Sequence, residues 1–567
     1  MRRVRVHLGA IFWQAALAAF FAVFLIYPIS FTLRRAFLDE RGGWTLGPLA
    51  SLFENPLIRQ SLLNSAAIAT LTTLGACLLA LPLAHVMTRR SFPGKGWISG
   101  LLLAPMMMPP FVGAIGLQQI LGRYGTLNLL LMKLGLVSPA SPIQWLGEGG
   151  FWGIVALQIL ALFPIPYLNI SAAMANVDPA LWEAAQNLGA SGRRMFRTVT
   201  LPLIAPGVFA GASIVFIWSF TDLGTPLVFG YSRVVSVQIF DAIHELNTNP
   251  QGYALATAVL GLTLALFLTT RRWFARSRWD AAPRGAHAES ERPLGRWHGR
   301  LVLAATLCLL AAALLPHLAV LTKSFSDRWL FSAFPQKWTL DHYREALAGG
   351  QAAISLRNSL FYSSLSAGLD LVLGVAIAWL ATRKRAILAP ALDALAMAPL
   401  AIPGLVLAFG FVAAFDVDAP WLNPRQNPTL LLVIAYSVRR LPYMVRAAVA
   451  GFQQSPVELE EASANLGASP FRTLRRVTLP LVSANLIAGC ILAFAFAMIE
   501  VSDSLILAMR EPYFPLTKAV YELLGRIEPD APSVACALSA LGMAVLAAAL
   551  LTSARLLGRR MGRLFRF

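Results

Sequence analysis

The stretch EAAQNLGASGRRMFRTVTLPL (183–203) returns 278 residues later as EASANLGASPFRTLRRVTLPL (461–481), with 14 of 21 positions identical and no gap. Both copies are polar and basic, whereas the rest of the chain is apolar. Of 567 residues, 57% are hydrophobic and 13% charged, about half the charged share of a soluble domain. The mean hydropathy is +0.63. Apolar runs of about 20 residues, each long enough to cross a bilayer, fill most of the sequence. These features predict an all-α polytopic membrane protein and argue against a soluble enzyme with a single anchor.

The apolar runs give about twelve spans, six in each half. The first six cover roughly 11–33, 60–88, 97–121, 150–175, 197–227 and 252–270. The second six cover roughly 300–322, 356–382, 388–414, 428–452, 476–508 and 534–556. A polar, basic stretch rich in Ala, Gly and Pro (271–300) joins a first repeat, 1–270, to a second, 301–567. Such composition reads as a linker. With the N-terminus inside, the inner segments hold 28 of the 47 Lys and Arg residues and the longer outer loops only 16. That bias is the positive-inside pattern. It places both termini, the linker and both quoted stretches in the cytoplasm. It also explains the net charge of +19 without nucleic acid as a partner. The basic start MRRVRVHLGA leads into an apolar run without a small-residue cleavage site, which reads as a retained helix rather than a signal peptide.

The repeat extends beyond the quoted stretch. Asn64-Ser65 matches Asn358-Ser359 at a spacing of 294, as do Ala104-Pro105 with Ala398-Pro399, Pro109 with Pro403, and Gly116 with Gly410. The drop from 294 to 278 leaves the first half 16 residues longer, an excess placed in the outer segment 122–150. Six spans per half make the repeats parallel, related by an axis along the membrane normal.

Locally, Asp178-Pro179 reads as a capped helix start, with Glu183 near its positive end. Ala184 and Ala185 make a flat face, and Gly189 is a helix stop. Arg193, Arg194 and Arg197 follow, and Leu201-Pro202 opens the next span. The second copy runs from Ser455-Pro456 through Glu461, Ala462 and Gly467 to Leu479-Pro480. Each copy is a compact polar knob between the fourth and fifth spans of its half.

This pattern of E-A-A, three residues, Gly, nine residues, a β-branched aliphatic, one residue and Leu-Pro resembles the EAA signature of permease subunits of bacterial ABC importers. The first copy (loop 178–203) fits through Glu183, Ala184, Ala185, Gly189, Val199, Leu201 and Pro202. The second (loop 455–481) fits through Glu461, Ala462, Gly467, Val477, Leu479 and Pro480, with Ser463 in place of the second Ala. Val stands where the family usually has Ile. The resemblance covers nearly the whole chain and implies two fused six-helix, MetI-like permease repeats of the ferric-iron, thiamine and aminoethylphosphonate type. It further implies a bacterial inner-membrane location and a binding protein outside. Two separate ATPase subunits, carrying ATP and Mg, would dock on the two knobs, and the two halves would rock between inward- and outward-facing states. The chain itself is expected to have no catalytic residues and to bind no cofactor. The sequence contains no GxxxxGK[ST] pattern, so ATP hydrolysis belongs to a partner. Ferric iron is the first substrate expected, with thiamine, aminoethylphosphonate, polyamine and sulfate open; a secondary transporter without an ATPase is the rival class.

Charges at membrane depth are costly and usually face a cavity or a partner. Asp222 near the outer end of the fifth span and Glu500 in the eleventh share one repeat position, and Asp503 follows one turn later. These acids line a substrate path or form structural pairs. Arg439 and Arg440 lie deep in the tenth span, opposite Phe163 and Pro164 in the first half. They read as an anion-attracting path, as partners of Asp222, Glu500 or Asp503, or as snorkelling cations. Arg446, nearer the span end, can snorkel. The stretches APMMMPPFVG (104–113) and APLAIPGLVL (398–407) place proline inside spans, where it kinks a helix and frees backbone carbonyls. Cys77, Cys308, Cys490 and Cys536 fall in apolar runs without spaced partners, and no histidine spacing marks a metal site.

Overall fold

The structure, a computed structural model, describes residues 2–557 apart from 39–41, 108, 176, 178, 247–248, 277–291, 349 and 385. Asp178, most of the linker and the basic tail thus lie outside the described residues. In chain order, the helices that matter begin with α1 (Gly9–Ala36), α2 (Pro56–Arg89), α3 (Lys95–Met106) and α4 (Pro110–Leu121). Next come α5 (Phe151–Ala175), α6 (Pro179–Asn187), α7 (Gly192–Thr221), α8 (Gly224–Phe229) and α9 (Val235–Asp241). They continue with α10 (Gln251–Thr270), α11 (Arg296–Ser324), α12 (Gly350–Lys384), α13 (Ala389–Leu400) and α14 (Gly404–Ala414). Last are α15 (Thr429–Gln454), α16 (Val457–Asn465), α17 (Pro470–Met498), α18 (Ser502–Leu507), α19 (Leu516–Leu524) and α20 (Ala531–Thr552).

Among the described residues, nine helices are long and apolar enough to cross a membrane, or up to eleven if each bent pair counts as one span. The remaining expected span, 428–452, is the 26-residue α15, which carries Arg439, Arg440 and Arg446. The proline-bearing stretches form more than kinks. Around Pro109 the chain turns by 91° and around Pro403 by 105°. Both prolines have extended backbone, with ψ of 122° and 134°. A proline lacks an N–H and disfavours the α conformation in the residue before it, and at both places the helix stops and restarts in a new direction.

The chain packs as two compact units that do not follow the sequence halves. One holds the described residues of 2–55, 238–260 and 340–557; the other holds those of 56–237 and 261–339. Each unit is built on a three-helix bundle, α2, α5 and α7 in one and α12, α15 and α17 in the other. The repeat spacings carry over into the cores. Ala84, Ile170, Met174 and Ile204 fill one core, and Ala378, Ala448, Phe452 and Val482 fill the other. Close approach in membranes needs small residues, and Gly211 and Gly489 supply it at one repeat position. A Cβ on Gly211 would meet Pro166 of α5, and one on Gly489 would meet Met444 and Ala447 of α15.

The Gly116 and Gly410 markers have a matching cause. In one unit α11, from the second half of the sequence, lays the carbonyl of Pro316 against Gly116 of α4. In the other, α1 lays the carbonyl of Pro28 against Gly410 of α14, 3.0 Å from where a Cβ would stand. A methyl on Gly116 would overlap the Pro316 oxygen outright, and backbone cannot swing aside. We expect Gly116→Ala to cost about 1–3 kcal/mol, the range of overpacking, and Gly410→Ala less. Thermal unfolding of the two variants in detergent measures this, and equal midpoints would refute the ranking.

Candidate functional site

The two quoted stretches fold alike residue for residue. Helix α6 covers Pro179–Asn187 and α16 covers Val457–Asn465, both shifted by the sequence spacing. Gly189 and Gly467 take φ of +79° and +84°, a left-handed conformation that only glycine adopts without strain. They close matching Schellman-type caps. Ala190 N–H donates to the Ala185 carbonyl at 2.9 Å, and Ala468 N–H to the Ser463 carbonyl at 3.1 Å. A π-turn then precedes each Leu-Pro, Phe196–Thr200 in one copy and Leu474–Thr478 in the other. One expectation needs correction. Ser455 does not cap the second helix: Pro456 occupies the cap position without a side-chain hydrogen bond. The Ser455 carbonyl is instead taken by Arg383.

What these elbows expose is specific. Glu183, Ala184, Glu461 and Ala462 face outward, whereas Ala185 is buried and Ser463 half-buried, its hydroxyl 3.0 Å from Thr473 Oγ1. Leu188 and Leu466, just before the glycines, are 88% and 89% exposed. Each elbow thus ends in a turn of helix tipped by an exposed leucine.

Each elbow is also tied to its bundle, by residues the sequence reading missed. Arg89, near the end of α2, lays its guanidinium over the Trp182 ring. Trp182 Nε1 donates to Thr200 Oγ1 at 3.1 Å. Arg383, near the end of α12, donates from Nε to Glu460 Oε1 at 2.9 Å and from Nη2 to the Ser455 carbonyl at 2.9 Å. The signal was available: Arg89 and Arg383 stand 294 apart, and Trp182 and Glu460 stand 278 apart.

A second cluster lies in the unit containing α15. Helix α17 ends at Met498 and α18 begins at Ser502, so Glu500 sits on a helix break. Glu500 is only 5% exposed. Its carboxylate is held by Arg439 on one oxygen and Arg440 on the other. Arg439 also lies 3.5 Å from Asp503 Oδ2, and Asp503 is fully buried. Two cations and two acids balance the charge, as burial at this depth requires. Hydroxyls complete the break. Ser504 and Thr517 donate to the Glu500 carbonyl at 2.6 and 2.7 Å, and Tyr436 lies 2.6 Å from Ser504 Oγ. Gly404, at the Pro403 turn, leaves the space that the Arg439 guanidinium fills. Arg446 does more than snorkel, pairing with Asp393 Oδ2 at 3.0 Å. Asp370 in α12 is a further buried acid, accepting from Ser437 Oγ at 2.6 Å. The sequence reading did not single it out, although it lies inside an apolar run like Asp222.

Asp222 occupies the matching break in the other unit; α7 ends at Thr221 and α8 begins at Gly224. Gln158 Nε2 donates to Asp222 Oδ2 at 2.9 Å, and Gln158 Oε1 accepts from Ser219 and Thr72. Ser236 donates to the Asp222 carbonyl at 2.7 Å, the role of Thr517 on Glu500. The Asn-Ser markers pin the segment after each break. Asn64 and Ser65 bind Arg233 carbonyl and Val235 N–H, while Asn358 and Ser359 bind Phe514 carbonyl and Leu516 N–H. Among the described residues, no group of three or more His, Cys, Asp or Glu is placed to hold a metal ion.

Comparison with known proteins agrees with this repeated architecture. Residues 58–277 and 371–563 match the family described as binding-protein-dependent transport system inner membrane component. The chain is 28% identical over 564 residues to the probable ABC transporter permease protein y4fN of Sinorhizobium fredii, covering 97% of each. It is 28% identical over 543 residues to the ferric transport system permease protein FbpB of Actinobacillus pleuropneumoniae, covering 93% of this chain and 75% of the relative. The molybdenum transport system permease protein ModB of Haemophilus influenzae is 30% identical over 220 residues, 36% of this chain and 91% of the relative. With two matched regions spanning most of its length, the chain belongs to the family of binding-protein-dependent transport system inner membrane components, the multi-pass permease subunits of ABC importers.

Proposed function

We propose that the chain forms the whole membrane pathway of an ABC importer for ferric iron, with each elbow docking one copy of a separate cytoplasmic ATPase. The carrying observation is that the two elbows share one backbone, cap for cap, and both leave their apolar tip bare. A pair of identical partners needs two such handles on one side of the membrane, and that side, with both termini, is the cytoplasm. A binding protein on the opposite face delivers the cargo. Closure of the ATP-loaded pair pulls on both elbows and changes access to the path. Glu183, Ala184 and Gly189, with Glu461, Ala462 and Gly467, form the docking surfaces, and buried Ala185 backs the first of them. Asp222, Glu500, Asp503, Arg439 and Arg440 lie at the path, where the two helix breaks put charge and freed backbone. Ferric iron is favoured because a ferric permease is similar over 93% of the chain, while the molybdenum relative matches only 36% of it.

The test is uptake in proteoliposomes holding this chain, its co-purified ATPase and its binding protein. Radiolabelled ferric iron is expected to enter only with ATP inside, to persist when ionophores collapse ion gradients, and to be insensitive to excess molybdate. Loss of uptake on gradient collapse would indicate a secondary transporter, and displacement by molybdate would overturn iron as the cargo.

A further inference from the structure

We infer that Arg89 and Arg383 are positioning residues for coupling: each is a strut that locks an elbow to the second span of its half, so that a pull on the elbow moves α2 or α12 directly. The inference rests on the elbows being ATPase docking sites. Without struts, each elbow would hand its motion only to the helices it joins in sequence, α5 with α7 and α15 with α17.

Three observations carry it. The arginines occupy one repeat position and reach one repeat position on the elbow, yet the bond differs in kind. In one unit it is a guanidinium stacked on Trp182; in the other it is an ion pair with Glu460. The two halves share few side chains outside the elbows, but both keep this link, and an arginine on the span side serves either chemistry. Next, each contact is sheltered. Arg383 and Glu460 side chains are 8% and 19% exposed, and Trp182 is buried. Water therefore screens them less than a surface pair. Finally, each strut is braced from a second side. Trp182 is fixed to Thr200 of α7, and Arg383 also holds the Ser455 carbonyl and lies over the Phe452 ring at 5.4 Å. A side chain clamped at both ends transmits displacement; one resting on a single surface contact would slide.

The struts also lie apart from the docking face. Glu461, Ala462 and Leu466 point outward, while Glu460 turns in toward Arg383. Cutting a strut should therefore leave the ATPase bound but disconnect it from α12.

The experiment places spin labels at Val372 on α12 and Glu458 on α16, with Cys77, Cys308, Cys490 and Cys536 replaced by alanine. Label distances are read by pulsed EPR, with and without ATP plus vanadate, alongside ATPase co-purification. With Arg383 intact, the distance is expected to stay a single narrow population in both states. Arg383→Ala should broaden or shift it under ATP plus vanadate while the ATPase still co-purifies. Arg383→Glu alone should do the same, and Arg383→Glu with Glu460→Arg should restore the narrow population. With the labels moved to Leu78 on α2 and Gln186 on α6, both exposed, Trp182→Ala should broaden the distance in the other unit in the same way. The proposal is overturned if Arg383→Ala leaves the distribution unchanged, if the charge swap stays as broad as the single variants, or if Arg383→Ala sheds the ATPase. The last result would mean that the arginine merely builds the docking face. Failure of the underlying reading shows differently, because the unsubstituted chain would then bind no ATPase.

Discussion

Glu500→Ala should destabilise the folded chain by about 3–5 kcal/mol, the cost of removing one partner from a buried ion pair, and should sharply lower its yield in membranes. Glu500 alone touches both Arg439 and Arg440 with hydrogen-bonding oxygens. After truncation, one carboxylate, Asp503, remains within 3.5 Å of Arg439, and Arg440 loses its ion-pair partner. Asp222→Ala should be far milder. Its carboxylate accepts from the Gln158 amide, and leaving that neutral donor unpaired costs about 1–3 kcal/mol. A compensated variant separates stability from transport. Glu500→Leu and Asp503→Leu combined with Arg439→Met and Arg440→Leu removes all four groups and replaces them with apolar volume, which is often neutral or stabilising. Thermal midpoints in detergent should fall for Glu500→Ala and recover in the quadruple variant. ATP-driven uptake should stay lost in the quadruple variant if the cluster lies at the path. A Glu500→Ala protein as stable as the parent would show that Asp503 alone neutralises both arginines.

The sequence carried the repeat further than it carried the packing. Offsets of 294 and 278 located the elbows, the proline breaks and the Asn-Ser pins, because each is written in residues that sit at fixed distances along one helix or turn. They did not say which helix answers which. That α11 rests on Gly116 and α1 on Gly410 depends on pairing between distant segments, and no periodicity encodes it. The bend at Pro403 was likewise legible as a break but not in size; 105° follows from where α14 finds its partner α1. The charged cluster lay between these extremes. The sequence put Arg439, Arg440, Glu500 and Asp503 at membrane depth and named pairing as one outcome. Only the helix break, which turns Glu500 toward α15, decided that both arginines share it and that Asp222 is answered by Gln158. Asp370 needed no structure to be noticed, only the same depth rule applied once more.

Leu466→Asp should weaken ATPase association by about 2 kcal/mol or more, the scale of an interface hot spot, or roughly 30-fold in Kd. Leu188→Asp should do the same at the other elbow, and the double variant should abolish co-purification. Neither change should disturb folding, because both side chains are almost wholly exposed and touch no core. That separates them from the glycines beside them. Gly467→Val would force a branched residue into φ of +84° and reshape the cap, so a loss of binding there would mix docking with folding. The double variant should lose more than either single would suggest. Two handles on one chain hold a paired partner with an effective local concentration far above that of free subunits. While one elbow remains, the second ATPase copy is still tethered by its mate. Co-purification from detergent and surface-plasmon titration of the ATPase provide the measurement, with far-UV circular dichroism and thermal midpoints confirming intact folding. Full association of a well-folded double variant would remove the leucines from the docking face. A loss limited to Leu188→Asp or to Leu466→Asp would mean that the elbows, alike in backbone, dock partners differently, which Ala185 against Ser463 and Trp182 against Glu460 give the chain the means to do.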